Sequence, residues 1–259
     1  MTQRTASPEI IDPPIMLAAI GLLAYASADI AHHALGHAGA CIALGGRLHA
    51  LTSIHVACSV TGTAVDLAGP LANLLAGVVA VFCMRAARRA ASSSHLFFTL
   101  AAAFNLFWFA ILLVFSAVSR TDDWAWFLRS QPEAMRYALI SVGSIAYVLT
   151  TRALASELAR FASPPSRARR IAVIAWIVGG TLACTTAAFD LHAATAVVQQ
   201  AVPQSLLLSL GLLFAPARAA RAAASVAQAG AVKFSVAWVA AAVVVAAGSI
   251  VLLGPGISL

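Results

Sequence analysis

The sequence predicts an all-α, polytopic membrane bundle of about six to seven transmembrane helices. Of its 259 residues, 61% are hydrophobic and only 10% are charged, whereas charged residues make up about 25% of a typical soluble domain. The mean hydropathy is +0.91. The apolar stretches are long and continuous, which favours membrane helices of about 20 residues over the alternating strands of an outer-membrane barrel.

Seven segments are apolar enough over a sufficient length to cross a bilayer. The first is longer than a bilayer requires, so we expect it to be tilted or to end in a surface turn near Gly45. The sixth is the weakest candidate for a membrane span, because Pro203 and three glutamines interrupt it. It can be a broken, a re-entrant or an interfacial helix. The predicted spans are Ile15–Leu44, Ala64–Met84, His95–Val118, Met135–Leu154, Ile171–Phe189, Ala193–Phe214 and Phe234–Leu253.

The distribution of basic residues predicts the orientation. Twelve of the 16 lysines and arginines fall in the N-terminal tail and in the second, fourth and sixth connections. By the positive-inside rule these regions are cytoplasmic, which gives a cytoplasmic tail at residues 1–14 and a multi-pass protein of a cell inner membrane. Arginines that flank membrane helices account for the net charge of +7, so the lipid bilayer is the expected partner and no nucleic acid is.

A histidine-dense segment that begins at Asp29 lies inside the first apolar span. Ionisable residues within membrane segments usually face the bundle interior and mark a site. In an α-helix His33 and His37, four residues apart, lie within about 40° of each other. Asp29 and Cys41 continue this face, while His32 points about a quarter-turn away. Two histidines at this spacing are typical of a zinc helix, whose third ligand comes from elsewhere in the fold.

Further polar residues are expected on the same outer side of the membrane. The second span runs inward from that side and carries Asn73, an amide that needs a hydrogen-bond partner from a neighbouring helix or from an extended substrate backbone. The third span runs outward and is followed by Asp122 and Asp123. Either aspartate can supply the third metal ligand, and both can equally be solvated loop residues.

The connection between the first two spans resembles a short hairpin or a re-entrant loop, with a strand-like stretch at Leu48–Val60. His49 and His55 in this connection are expected to be exposed loop residues. Cys41 and Cys58 would lie on the same outer side, where a disulfide between them is one possibility. The four cysteines of the chain show no paired metal-type spacing.

Two motifs resemble those of the site-2 protease family of intramembrane metalloproteases. The sequence HALGH at residues 33–37 is similar to the family's HExGH zinc motif, and AGPLAN at residues 68–73 is similar to the Gly-Pro-Leu-Ala-Asn segment that follows it there. The resemblance covers about residues 15–126. It implies a metalloprotease-like membrane core of three helices at residues 15–128, followed by additional membrane helices at residues 129–259.

The resemblance also implies a zinc cofactor, Zn²⁺, bound by His33, His37 and a later aspartate, which we assign to Asp123. It implies that Asn73 positions the substrate. The aspartate lacks the family's Asn-Pro-x-x-x-Leu-Asp-Gly context, which leaves the third ligand open. The family's glutamate, which activates water, corresponds here to Ala34, and loss of a general base costs about 10²–10⁴-fold in rate.

Two functions follow from these observations. The first is an intramembrane zinc metalloprotease-like protein that has impaired or no peptidase activity because its general base is absent, with a transmembrane protein as substrate. The alternative is a non-catalytic membrane protein that binds a transmembrane partner or passes a metal ion. A histidine cluster that only stabilises helix packing, without metal, is the structural alternative.

Overall fold

The structure is a computed structural model that describes residues 12–89 and 92–258. Within these ranges, seven helices are long and apolar enough to cross a membrane, which confirms the predicted membrane-embedded helical bundle. Most of the predicted tail at residues 1–14 lies outside the described residues. The helices are α1 (Pro14–Ala43), α2 (Thr63–Ala87), α3 (Ser92–Ser119), the short α4 (Ala125–Leu128), α5 (Glu133–Phe161), α6 (Pro165–Ala187), α7 (Ala193–Ser225) and α8 (Val236–Leu253).

The first spanning helix, α1, occupies the centre of the bundle. It packs against α2, α3, α6 and α8, and α1 and α3 are the most buried of the spanning helices. Ile20 of α1 and Phe107 of α3 are both fully buried in the same apolar core. The surfaces of α2 and α8 instead expose large apolar side chains such as Phe82 and Val244, as expected for helices that contact lipid rather than water.

A small hairpin covers one end of the bundle. Strands β1 (Leu48–Leu51) and β2 (Val56–Cys58) pair antiparallel, which confirms the hairpin predicted for this connection. A disulfide joins Cys41 at the end of α1 to Cys58 in β2. Near the C-terminus, Ile257 exchanges two backbone hydrogen bonds with Leu51, at 2.8 and 3.0 Å. The hairpin is therefore fixed to α1 at one side and to the chain after α8 at the other.

The two ends of the bundle differ in chemistry. We call the end around His37 and Asp123, which carries the hairpin, the histidine end. The opposite end, around Arg88 and Arg167, is the arginine end. There the buried Arg167 donates two hydrogen bonds to Asp12, from Nε at 2.7 Å and from Nη2 at 3.0 Å, so the first described residues are held against α6 by a paired charge.

Candidate metal centre

The histidine segment of α1 is not an α-helix. Ile30–Ala38 forms a π-helix, whose i→i+5 hydrogen bonds bring residues five apart close to one another. In an α-helix His32 and His37 would point about 140° apart, but here their Nε2 atoms lie 3.1 Å apart. The structure therefore pairs His32 with His37, whereas the α-helical interpretation of the sequence pairs His33 with His37.

The third member of the cluster comes from the connection after α3. Asp123 Oδ2 lies 3.2 Å from Nε2 of His32, and Asp123 Oδ1 lies 3.3 Å from Nε2 of His37. The preceding Asp122 has a positive φ of 70°, and its Oδ1 accepts a hydrogen bond from the backbone N–H of Asp123 at 3.0 Å. This turn directs Asp123 back into the bundle, where the ligand atoms of His32, His37 and Asp123 lie within 4.8 Å of one another and could hold a metal ion.

The far side of the His37 imidazole fixes which of its nitrogens carries the proton. Nδ1 of His37 lies 2.8 Å from the carbonyl oxygen of Val65 in α2. A carbonyl oxygen only accepts hydrogen bonds, so this Nδ1 is the donor. In the neutral imidazole, Nε2 then carries a lone pair and no proton, and this lone pair faces His32 and Asp123.

A hydrogen bond to Asn73 likewise places the proton of His32 on its Nδ1. The amide nitrogen of Asn73 donates to the carbonyl oxygen of Ala28 at 2.9 Å and to Oδ1 of Asn105 at 3.0 Å. Its Oδ1 is thereby turned to Nδ1 of His32, 2.7 Å away, and accepts a hydrogen bond from it. Nε2 of His32 is left with a lone pair as well. Hydrogen bonds of this kind on the outer nitrogen are how proteins orient metal-binding histidines.

The cluster thus brings three acceptors together without a donor. The third acceptor is the carboxylate of Asp123, which is largely buried beside the two imidazoles. Its Oδ2 is buried and accepts no hydrogen bond from any described residue. Ligand atoms about 2.0–2.2 Å from a tetrahedral zinc ion are about 3.3–3.6 Å from one another. The observed separations of 3.1–3.3 Å, with one oxygen of Asp123 facing each imidazole, are close to these values.

Packing holds the two imidazoles in place. The ring of Trp108 in α3 stacks on His32 with centroids 5.0 Å apart and planes 22° apart. A side chain at Gly69 would overlap the imidazole of His37, and a Cβ at Gly36 would lie 2.5 Å from the Cα of Gly69. Glycine at both positions therefore allows α1 and α2 to approach closely enough for His37 to reach its partners.

The other residues predicted from the sequence take different positions. His33 lies beside the cluster, and its Nδ1 donates to Oδ1 of Asp29 at 3.0 Å. Asn73 is fully buried and supports His32, with both donors of its amide engaged. Ala34 is partly exposed on α1 and offers no functional group. His49 in β1 and His55 between the two strands are both exposed, as expected.

A cavity of about 180 Å³ opens in front of the cluster, which is space for several water molecules. Its walls come from α1, α2, α7, the hairpin and the connection after α3. Sequence reasoning missed the contribution of α7, where the only signal is a set of glutamines inside an otherwise apolar span. Besides the three cluster residues, the polar lining residues are His33, His55, Asp66, Asp122, Gln200 and Gln204.

Comparison of the chain with protein-family models, with curated proteins and with solved structures finds no match. The chemistry of the cluster is therefore the basis for a functional assignment.

Proposed function

We propose that this chain is a membrane-embedded zinc protein of the intramembrane metalloprotease type, with the ion held by His32, His37 and Asp123. The main support is the absence of a hydrogen-bond donor inside the cluster. The Nε2 lone pairs of the two imidazoles and the carboxylate oxygens of Asp123 lie 3.1–3.3 Å apart, with no proton donor between them. A metal cation bound between these acceptors would relieve that arrangement. Two histidines and one carboxylate are the donor set of many catalytic zinc sites.

The number of donors favours an exchangeable site over a structural one. Structural zinc sites are closed by four protein ligands, whereas three protein ligands leave a tetrahedral ion with one open position. The cavity next to the cluster gives water access to that position. When bound, zinc supplies a Lewis acid that polarises a carbonyl and lowers the pKa of a bound water. His32, His37 and Asp123 would hold the ion, and Asn73 and Val65 orient the two imidazoles.

We infer that peptide hydrolysis at this site is impaired or absent. Ala34, the residue that corresponds to the family's general base, has no group that could accept a proton. The same observation favours the second candidate, a non-catalytic protein that binds a transmembrane partner at the zinc centre. Zinc-dependent cleavage of a transmembrane peptide, abolished by a chelator, would favour the first candidate. Stable binding without cleavage would favour the second.

We further propose that the histidine end faces away from the cytoplasm, in an inner membrane with a cytoplasmic N-terminus. Two independent features support this orientation. Arginines such as Arg88 and Arg167 lie at the opposite end, as the positive-inside rule requires of a cytoplasmic face. The disulfide between Cys41 and Cys58 lies at the histidine end, and disulfides persist in oxidising compartments outside the cytoplasm.

The metal content of the purified protein tests the proposal. The detergent-solubilised chain is supplemented with zinc, freed of excess metal and measured by elemental analysis, next to the variant His37→Ala. We expect about one zinc per chain in the unmodified protein, as for a single three-ligand site, and almost none in the variant. Absence of bound zinc from the supplemented, folded protein would refute the proposed function.

A further inference from the structure

The helix α7 contributes an unusual polar segment to the cavity. Its residues Ala196–Leu207 form a π-helix with Pro203 inside it, and Gln200 and Gln204 project from this segment into the cavity wall. The end of the segment is anchored to α6, because Nε1 of Trp176 donates to the carbonyl oxygen of Leu206 at 3.0 Å. The anchored backbone of this segment thus holds the two glutamines in front of the cluster of His32, His37 and Asp123.

The hydrogen-bonding groups of these glutamines are largely unused. Nε2 of Gln204 lies 3.5 Å from Oε1 of Gln200, which is the weak limit of a hydrogen bond. Oε1 of Gln204 is buried and has no partner in the described part of the chain. Burial of an amide oxygen without a partner is unfavourable. A ligand that supplies the missing donor would remove that cost.

The chemistry of the cavity indicates what kind of ligand this is. Asp66, Asp122 and Asp123 line the same space, so we expect the part of the ligand that lies away from the ion to carry no negative charge. A glutamine amide presents one acceptor and two donors, which matches the C=O and N–H of a peptide unit. Inside a membrane an extended peptide must have its backbone groups satisfied by protein, because lipid offers no partner.

We propose that Gln200 and Gln204 bind the backbone of an extended peptide segment next to the zinc centre. The inference rests on the proposed function, since the peptide is the ligand of that centre. It assigns the peptide contact to α7, whereas the resemblance noted above assigns it to Asn73. Asn73 is fully buried and uses both amide donors within the bundle, while the glutamines face the cavity.

Two hydroxamates separate metal binding from backbone binding. Acetohydroxamate contacts only the ion, whereas the hydroxamate of an N-acetylated leucine dipeptide also offers two peptide units. Their dissociation constants are measured by calorimetry on the zinc-loaded full chain and on the variants Gln200→Met, Gln204→Met and Gln199→Met. Methionine keeps the length of glutamine without its amide. Gln199 is the matched control, because it is exposed on the same segment and outside the cavity.

We expect Gln204→Met and Gln200→Met each to weaken the dipeptide hydroxamate about tenfold, the effect of losing one or two hydrogen bonds. Acetohydroxamate should bind all variants equally, and Gln199→Met should match the unmodified chain with both probes. Unchanged affinity of the dipeptide probe in both cavity variants would overturn the inference and leave the zinc centre in place. If acetohydroxamate fails to bind the unmodified chain, or the chain holds no zinc, the proposed function fails and the inference fails with it.

Equal zinc content in all variants verifies that they are folded. Should one cavity variant lose zinc, the other decides the outcome, because the two glutamines lie one turn apart and are tested separately.

Discussion

In the described part of the chain, two clusters that each combine histidine with a carboxylate differ in how their charges are balanced. At the arginine end, the carboxylate of Glu157 accepts hydrogen bonds from Arg88 Nε at 3.2 Å and from His95 Nε2 at 3.1 Å, and Arg160 lies 3.5 Å away. Every acceptor in this cluster has a donor or a positive charge next to it. Such a cluster is complete and can serve packing alone.

The cluster at the histidine end has the opposite balance. His32, His37 and Asp123 direct only acceptors at one another, because Asn73 and Val65 already take the Nδ1 protons. Both clusters are buried, and both contain histidine and a carboxylate, so neither feature distinguishes them. The number of donors relative to acceptors distinguishes them, and this difference is the reason for proposing a bound cation in the second cluster and not in the first.

The largest expected effect concerns which histidines bind the ion. We predict that His32→Ala lowers the zinc affinity on the order of 10³-fold, because it removes one of three ligands. The change His33→Ala should lower it by no more than about threefold, since His33 contacts Asp29 instead. Competition with a chromophoric zinc chelator measures both affinities.

The two variants are matched controls for each other, being adjacent histidines of the same buried segment. A strong loss with His33→Ala and a weak one with His32→Ala would contradict the π-helical arrangement and restore the α-helical pairing of His33 with His37.

The next largest effect is expected from a substitution in the cluster around Glu157 at the arginine end. Glu157→Gln leaves Arg88 and His95 without their counter-charge, so the free energy of unfolding should fall by about 2 kcal/mol. This is below the 3–5 kcal/mol typical of a fully buried pair, because Arg88 is about a third exposed and solvent screens its charge. Thermal unfolding in detergent measures the loss, and the zinc affinity should stay unchanged. A loss of zinc in this variant would show that the clusters are not independent.

The fold could be predicted from the sequence because it depends on the length and hydropathy of each segment. Each predicted span overlaps one observed helix in the same order along the chain. The hairpin was indicated by its β-branched residues and the flanking glycines. These are local properties, and tertiary packing does not change them.

The candidate site was predicted only in part. His37 lies in the observed cluster, as expected for an ionisable residue of a membrane helix that faces the bundle interior. Asp123 lies there too, and it was predicted from its position after the third span, on the same side of the membrane as the histidines. His32 was missed, because the 3.6-residue period does not apply over Ile30–Ala38. The cavity role of Gln204 depends on how α7 packs against α6, and no local pattern in the sequence encodes that contact.

A smaller effect is expected from the residue that orients His32. Asn73→Ala removes the acceptor of the His32 Nδ1–H bond and should lower the zinc affinity about 10–100-fold, the usual cost of losing such a support. Asn105→Ala is the control, because Asn105 touches the site only through Asn73 and should cost less. Chelator competition measures both variants. An equal or larger loss with Asn105→Ala would show that general packing around the amides matters more than the bond to His32.

The smallest expected effect is a change in the stability of the zinc-free protein, and its sign distinguishes the two clusters. In the zinc-free protein, the carboxylate of Asp123 faces two imidazole lone pairs without a donor, so Asp123→Asn supplies an N–H group where one is missing. We predict that this variant loses zinc binding and yet raises the stability of the chelator-treated protein by about 1 kcal/mol. The corresponding change at Glu157 lowers stability, because that carboxylate already has its donors. Thermal unfolding of both amide variants in the presence of chelator compares the two signs directly. If Asp123→Asn destabilises the zinc-free protein as Glu157→Gln does, the histidine end already holds its own proton donor, and the argument for a bound cation is removed.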